Sequence, residues 1–181
     1  MRITSGEHKG RRISAGRKLL IRPTSDRVKE SIFNILRGEI EGKRVLDLFA
    51  GSGSLGIEAL SHGAESVTFV DSSSSSIRIL SKNLENLNLQ NQTVVLPLDG
   101  LKALNRLDSC FQVIFADPPY LKGYVQKIVD SVAESGVLEI GGILVLEHHK
   151  KEDFVSSEAK LLLLKERKFG DTVISIFLKR V

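Results

Sequence analysis

Tryptophan is absent, cysteine and methionine occur once each, proline occurs four times in 181 residues, and aromatic side chains make up 6% of the chain. The one cysteine, Cys110, cannot close an internal disulfide, and no His or Cys spacing matches a zinc site. A protein with neither a disulfide framework nor a metal is expected. No run approaches the roughly 18 apolar residues that a membrane-spanning helix needs, and Met1 to Gly10 lack the apolar core of a secretion signal. The expectation is a cytoplasmic protein that touches no membrane. Cys110 reads as a small core hydrophobe. His8, His62, His148 and His149 have no nucleophile or ligand companions in sequence that would assign them chemistry.

Hydrophobic residues make up 41% and charged residues 27% of the chain, enough apolar material for one well-packed domain and too little length for two. One domain over residues 1–181 is expected, as a monomer, with a basic arm over residues 1–24 and a core over residues 25–181. The arm is rich in glycine and basic residues and is expected to form a hairpin that projects from the core. The net charge of +4 is unevenly spread: residues 1–30 hold nine basic side chains against three acids, a surplus of six, so the rest sums to −2. Such an arm fits a polyanion partner, and it equally fits a solvated tail. The candidate polyanion contacts are Arg11, Arg12, Arg17, Lys18 and Arg22.

After about residue 40, short β-branched and aliphatic runs alternate with helical patterns, the signature of stacked βα units and a mainly parallel sheet. The spacing predicts strands at Arg44–Phe49, Ser66–Asp71, Thr93–Leu98, Gln112–Asp117 and Gly142–Glu147. Two more, Leu161–Arg167 and Val173–Lys179, flank Lys168-Phe-Gly-Asp-Thr172 as a closing hairpin. Helices are predicted over roughly 54–62, 74–89 and 121–136, with a short one near 151–155. Another over about 26–37 takes its capping residues from Pro23-Thr-Ser-Asp26. In that helix Val28, Ile32, Ile35 and Leu36 form one apolar face. The five serines Ser72–Ser76 read as a loop and a helix start.

Val45-Leu-Asp-Leu-Phe-Ala-Gly51-Ser-Gly53-Ser-Leu-Gly56 ends a strand, turns on glycines and opens a helix, and Asp71 ends the next strand 20 residues after Gly51. Glycines let backbone approach a ligand, and a carboxylate at the second strand end accepts from ribose hydroxyls. NAD and S-adenosylmethionine both carry an adenosine that this arrangement suits. Asp47 separates the two, because a carboxylate at the end of the first strand opposes a diphosphate but suits the ammonium and sulfonium charges of S-adenosylmethionine.

The apolar run Phe111–Ala116 ends in Asp117-Pro-Pro-Tyr120. In a parallel sheet this tetrapeptide falls at the carboxyl edge, where ligands bind. An exocyclic base amine is a poor nucleophile because its lone pair is delocalised into the ring. The Asp117 carboxylate and the Pro118 carbonyl, accepting its N–H groups, would draw the nitrogen toward a tetrahedral geometry and aim the lone pair at a methyl donor. Paired prolines fix that carbonyl, and Tyr120 offers a ring on which an extruded base stacks. The bland alternative, a rigid strand-ending turn, does not explain the order of Asp47, the glycine loop, Asp71 and the tetrapeptide.

With these motifs in place the chain resembles the RsmD-type bacterial 16S ribosomal RNA guanine-N2 methyltransferases. The resemblance also includes Arg2–Gly6, Lys9-Gly-Arg11, Arg22-Pro-Thr-Ser-Asp-Arg-Val-Lys-Glu-Ser-Ile-Phe-Asn-Ile-Leu36 and Phe169-Gly-Asp-Thr172. It implies a class I S-adenosylmethionine-dependent methyltransferase fold, Rossmann-like and α/β. That fold has a seven-stranded, mostly parallel sheet, a C-terminal antiparallel hairpin and helices on both faces. It also implies N2-methylation of one small-subunit guanine, on assembled or assembling subunits rather than naked RNA. Asp47, Phe49, Gly51, Ser52 and Gly53 would line the cofactor, Asp71 and Ser72 would meet its ribose, and Asp99 and Gly100 its adenine amine. Asp117, Pro118 and Tyr120 would hold the target base. The family more often has Glu at the ribose position, where this chain has Asp71. The rival readings are a methyltransferase on another exocyclic amine, such as adenine N6 of DNA, a NAD-dependent oxidoreductase, and a non-catalytic RNA-binding module.

Overall fold

The structure, a computed structural model, describes residues 1–15 and 25–181. Its centre is a seven-stranded sheet built from β1 (Arg44–Leu48), β2 (Ser66–Val70), β3 (Thr93–Leu96), β4 (Phe111–Ala116), β5 (Leu138–His149), β6 (Leu161–Phe169) and β7 (Thr172–Lys179). The spatial order is β3-β2-β1-β4-β5-β7-β6. The first five strands run parallel and the β6–β7 hairpin closes the sheet antiparallel. Chain order reverses between β1 and β4, which opens a crevice at their carboxyl ends.

Strand side chains alternate between the faces, and two separate cores result. Val45, Val67, Phe69, Val113 and Phe115 pack with α1 (Asp26–Ile35), α2 (Ser54–Ser61) and α3 (Ser74–Leu87) on one face. On the other, Leu46, Leu48, Val70, Ile114 and Leu144 pack with α4 (Gly100–Leu104) and α5 (Tyr124–Glu134). Burial on both faces explains why the strands read as continuous apolar runs.

Local chemistry sets the element ends. Ser25 caps α1, its Oγ accepting from the Val28 N–H at 3.3 Å, and Ser73 caps α3 from within the serine run, accepting from Ser76 at 3.3 Å. β3 stops at Leu96 because Pro97 has no N–H to donate. The helix expected near 151–155 is absent: that segment is irregular and ordered by side chains, with Gln126 bonding the backbone of Val155 through both its amide oxygen and nitrogen. Cys110 lies ahead of β4, half-exposed rather than in the core. Among the described residues no helix is long and apolar enough to cross a membrane.

The first fifteen residues do form a hairpin, bridged at Arg2 and Arg12, but it does not project. Ile3 and Ile13 are buried in the core, and the hairpin is tied down by a charge pair that α1 and α2 enclose. Lys29 and Glu58 are wholly buried with Nζ 3.2 Å from Oε2. Lys29 also donates to the Arg2 carbonyl at 2.6 Å. Glu58 accepts from the N–H and Oγ1 of Thr4 at 2.9 and 2.6 Å and from the Ser5 N–H at 2.9 Å. Ser5 continues the network to His62, whose ring stacks on Phe33 at 4.8 Å. The expected apolar face of α1 missed Lys29 and Phe33, which occupy the stripe alongside Val28, Ile32 and Leu36, while Ile35 is only half-buried.

Removing one member of a buried, hydrogen-bonded ion pair leaves the other charge uncompensated and costs about 3–5 kcal/mol. Glu58→Ala is expected to lose stability in that range in urea unfolding. A loss below about 1 kcal/mol would show that the hairpin is not anchored through this pair.

Candidate functional site

β2, β1 and β4 are neighbours, so their carboxyl ends bring Asp71, the glycine loop and Asp117–Tyr120 to one edge. Backbone bonds lace the three together: the Ala50 N–H donates to the Val70 carbonyl at 2.9 Å, and the Asp117 N–H donates to the Leu48 carbonyl at 3.4 Å.

The loop turns sharply because Phe49 and Gly51 both adopt left-handed backbone, with φ of 59° and 57°. A non-glycine residue rarely sits there, and such strain clusters at ligand sites. Asp71 holds the turn, accepting from the Gly51 N–H at 2.8 Å through one carboxylate oxygen and from the Ser73 N–H at 2.7 Å through the other. Ser72 is exposed beside it. The three glycines of the motif serve different ends. A side chain on Gly53 would strike Leu80 of α3 and one on Gly56 would strike Phe69 of β2, so Gly53 lets the loop sit close to α3 and Gly56 lets α2 pack closely on the sheet. A Cβ on Gly51 would meet nothing nearer than the Phe49 carbonyl at 3.9 Å, so this glycine faces open space where a ligand's backbone approach has room.

Asp47 points to the α2 side of β1, wholly buried, and accepts from the Gly56 N–H at 2.9 Å. Desolvation pushes its pKa up to about 7; the Gly56 bond opposes this and the nearby Asp71 charge adds to it. A carboxylate held this way gains from any cation brought beside it. Ser52, also buried, offers its carbonyl to the Asn83 amide at 2.9 Å, and the same amide nitrogen donates to the Ser14 carbonyl at 3.0 Å.

On the α4–α5 side, the Phe49 ring lies against Gly100, where a Cβ would collide with it, and meets Tyr124 edge-on at 5.2 Å. The Asp99 carboxylate caps α4, accepting from the Leu101 and Lys102 N–H groups at 3.1 Å. Beside it an open hollow of about 540 Å³ is lined by Asp99, Leu101, Pro119, Lys122, Tyr124 and Lys127. Tyr120 closes the other end of the crevice. Its hydroxyl donates to Glu147 Oε1 at 2.6 Å and lies 2.9 Å from Thr172 Oγ1, while its ring meets His149 edge-on at 5.7 Å. Burial, then the Glu147 charge, hold the phenol pKa above its ordinary value, so it stays a hydrogen-bond donor.

Glu147, His149 and Thr172 were not assigned a role from the sequence. Their one signal was the Phe169-Gly-Asp-Thr172 stretch, whose last residue reaches Tyr120 across the sheet. His148 is also buried, 2.9 Å from Ser175 Oγ, and burial lowers its pKa. Of the basic candidates, Arg11 donates to the Asn86 and Leu87 carbonyls at 2.8 and 3.4 Å at the end of α3, and Arg12 is exposed. Arg17, Lys18 and Arg22 lie outside the described residues. Among the described residues no group of three or more His, Cys, Asp or Glu is gathered as a metal site.

Residues 1–178 match the protein family described as conserved hypothetical protein 95. Bacillus subtilis YlbH, described as a candidate rRNA methyltransferase, is 38% identical over 183 residues, covering 99% of this chain and 100% of that protein. The ribosomal RNA small subunit methyltransferase D of Haemophilus influenzae is 35% identical, covering 94% of this chain and 89% of its own length. A solved Escherichia coli structure described as a candidate methyltransferase, yhhF, superposes with a TM-score of 0.88 at 28% identity, covering 100% of this chain and 98% of that one.

Because Asp47 titrates near 7 when folded but near 3.8 when exposed, the native state binds more protons than the unfolded state between those values. The contribution of this group to stability therefore falls as pH rises from about 4 to about 7. Asp47→Asn keeps an acceptor for Gly56 and removes the titration. Its stability relative to wild type is expected to rise across that window in urea unfolding of the ligand-free protein. A difference independent of pH would mean Asp47 ionises normally.

Proposed function

The chain belongs to the conserved hypothetical protein 95 family, the RsmD-type methyltransferases, and from that membership we propose that it transfers the methyl group of S-adenosylmethionine to the exocyclic N2 amine of a guanine in 16S ribosomal RNA. One observation carries the reading. The Asp117 N–H bonds the end of β1, the strand that carries Asp47, which supports a carboxylate for an amine and a carboxylate for a cation at neighbouring strand ends.

When bound, S-adenosylmethionine supplies an electrophilic methyl group on a positively charged sulfur. The residues present fit it. Asp47, buried and short of a counter-charge, stabilises positive charge beside the loop. Gly51 and Ser52 present backbone to the ligand, Asp71 offers a carboxylate to ribose hydroxyls, and Phe49, Asp99 and Gly100 border the hollow suited to a purine. Asp71 also holds Gly51 in place, so ligand and loop geometry depend on the same carboxylate.

Asp117 and the Pro118 carbonyl accept the N–H groups of the target amine and turn its lone pair toward the methyl group. As the N–C bond forms the nitrogen loses one proton, and Asp117 is the first acceptor on its way to water. Tyr120 stacks against the base, its hydroxyl tethered to Glu147 and Thr172 so that the ring cannot swing away. The family reading extends to the setting: a cytoplasmic, monomeric enzyme acting on an assembled or assembling small subunit, with Arg11, Arg12, Arg17, Lys18 and Arg22 toward RNA phosphates.

Nucleoside mass spectrometry of small-subunit RNA from cells with and without the gene tests the substrate: one N2-methylguanosine is expected to disappear, and an unchanged level refutes the assignment. Asp117→Ala is expected to lower turnover by about 10²–10³, the usual cost of one preorganised group that acts mainly in the transition state. Affinities for S-adenosylmethionine and RNA should change far less. Tyr120→Ala is expected to weaken RNA binding along with rate, because a stacking surface serves the base before and during transfer. Single-turnover methylation at saturating RNA, paired with direct binding, separates the two. An Asp117→Ala variant that loses RNA affinity but keeps its saturated rate makes the tetrapeptide a docking turn.

A further inference from the structure

A second groove lies away from the crevice, between the outer side of α1 and the edge strand β6. It measures about 540 Å³, and its lining includes Arg27, Glu30, Asn34, Lys165, Arg167 and Phe169. Three cations face one another across it with Glu30 as the one acid among these residues. Among the described residues none of Arg27, Lys165 and Arg167 has an ion-pair partner. Like charges brought together repel, and a bound anion relieves that repulsion.

The register of the hairpin sets this face. Lys165 and Arg167 stand opposite Ile176 and Ile174, which belong to the core on the α1 side, so both cations project toward α1. A register shift between Leu163 and Lys165 brings them there. Alternate residues of a strand recur about 6.6 Å apart on one face, a repeat that an extended nucleotide strand follows with its backbone. The groove also leads to the crevice. Phe169, at its end, is paired with Thr172, and the Thr172 hydroxyl is the one that touches Tyr120.

We propose that the α1–β6 groove is a phosphate track for the RNA strand that flanks the target base, with Arg27, Lys165 and Arg167 as its contacts. The proposal rests on the ribosomal RNA reading above and adds a surface distant from the N-terminal arm. It accounts for charges on β6 that would otherwise serve only to keep an exposed sheet edge from pairing with another copy of the chain.

The test is Arg27→Ala/Lys165→Ala/Arg167→Ala in the full chain, with binding to in vitro transcribed 16S ribosomal RNA and to isolated small-subunit particles measured against salt. Three lost phosphate contacts are expected to shrink the log–log salt slope by about 2, and to weaken binding by roughly 50-fold at 0.15 M salt, if each contact contributes about 0.7 to the slope. S-adenosylmethionine affinity should match wild type, since the groove holds none of the crevice residues. A variant that binds both RNAs with wild-type affinity and slope overturns the proposal. If that variant also self-associates in sedimentation, the cations are an edge guard instead. Wild-type protein that binds neither RNA and methylates neither refutes the ribosomal RNA reading itself, and the groove assignment falls with it.

Discussion

The α1–α2 side of the molecule depends on a charge pair that water does not reach. Lys29 and Glu58 are each wholly buried, and burying an isolated ammonium or carboxylate is strongly unfavourable. They are tolerable because each bonds the other, while Lys29 also donates to the Arg2 carbonyl and Glu58 accepts from Thr4 and Ser5. Their hydrogen-bond partners outside the pair all come from the first five residues, which ties the ion pair to the N-terminal hairpin. Without the hairpin the pair has unmet hydrogen bonds, whereas the hairpin has further anchors in Ile3 and Ile13, in Ser61, in Asn83 and at the end of α3.

The same desolvation that bears on this pair sets the ionisation of Asp47. Glu58 is buried with a counter-charge already built in. Asp47 is buried with one backbone N–H and the field of another carboxylate, and its ionisation is held back to about pH 7. The fold thus supplies a counter-charge to Glu58 and only a backbone N–H to Asp47.

Much of this was legible in the sequence, and the reason is periodicity. A sheet buried on both faces forces apolar runs, so all seven strands were located, most to within one or two residues of their ends. The glycine loop and Asp117-Pro-Pro-Tyr120 were legible because tight turns at strand ends admit few residue types. What stayed hidden involved contacts between distant segments. Lys29 reads as an exposed helix charge until Glu58 is placed beside it, and the carbonyls that Arg11 reaches at the end of α3 come into view only when that helix is placed. β5 begins four residues earlier than its apolar run suggests, because Glu139-Ile-Gly-Gly142 looks like a turn. α4 went unseen because five residues are too few for a helical repeat. Glu147 and Thr172 acquire meaning only when β5 and β7 become neighbours and Tyr120 reaches between them.

Asn83 joins the N-terminal hairpin to the glycine loop. Its amide binds the Ser14 backbone through both its oxygen and its nitrogen and the Ser52 carbonyl through that nitrogen, so the strand leading into residues 16–24 and the glycine loop share one side chain. A joint of this kind makes the occupancy of one region a variable in the energy of the other, and the coupling is necessarily reciprocal. A displacement of Ser14 is felt at the loop, and a displacement of the loop is felt at Ser14.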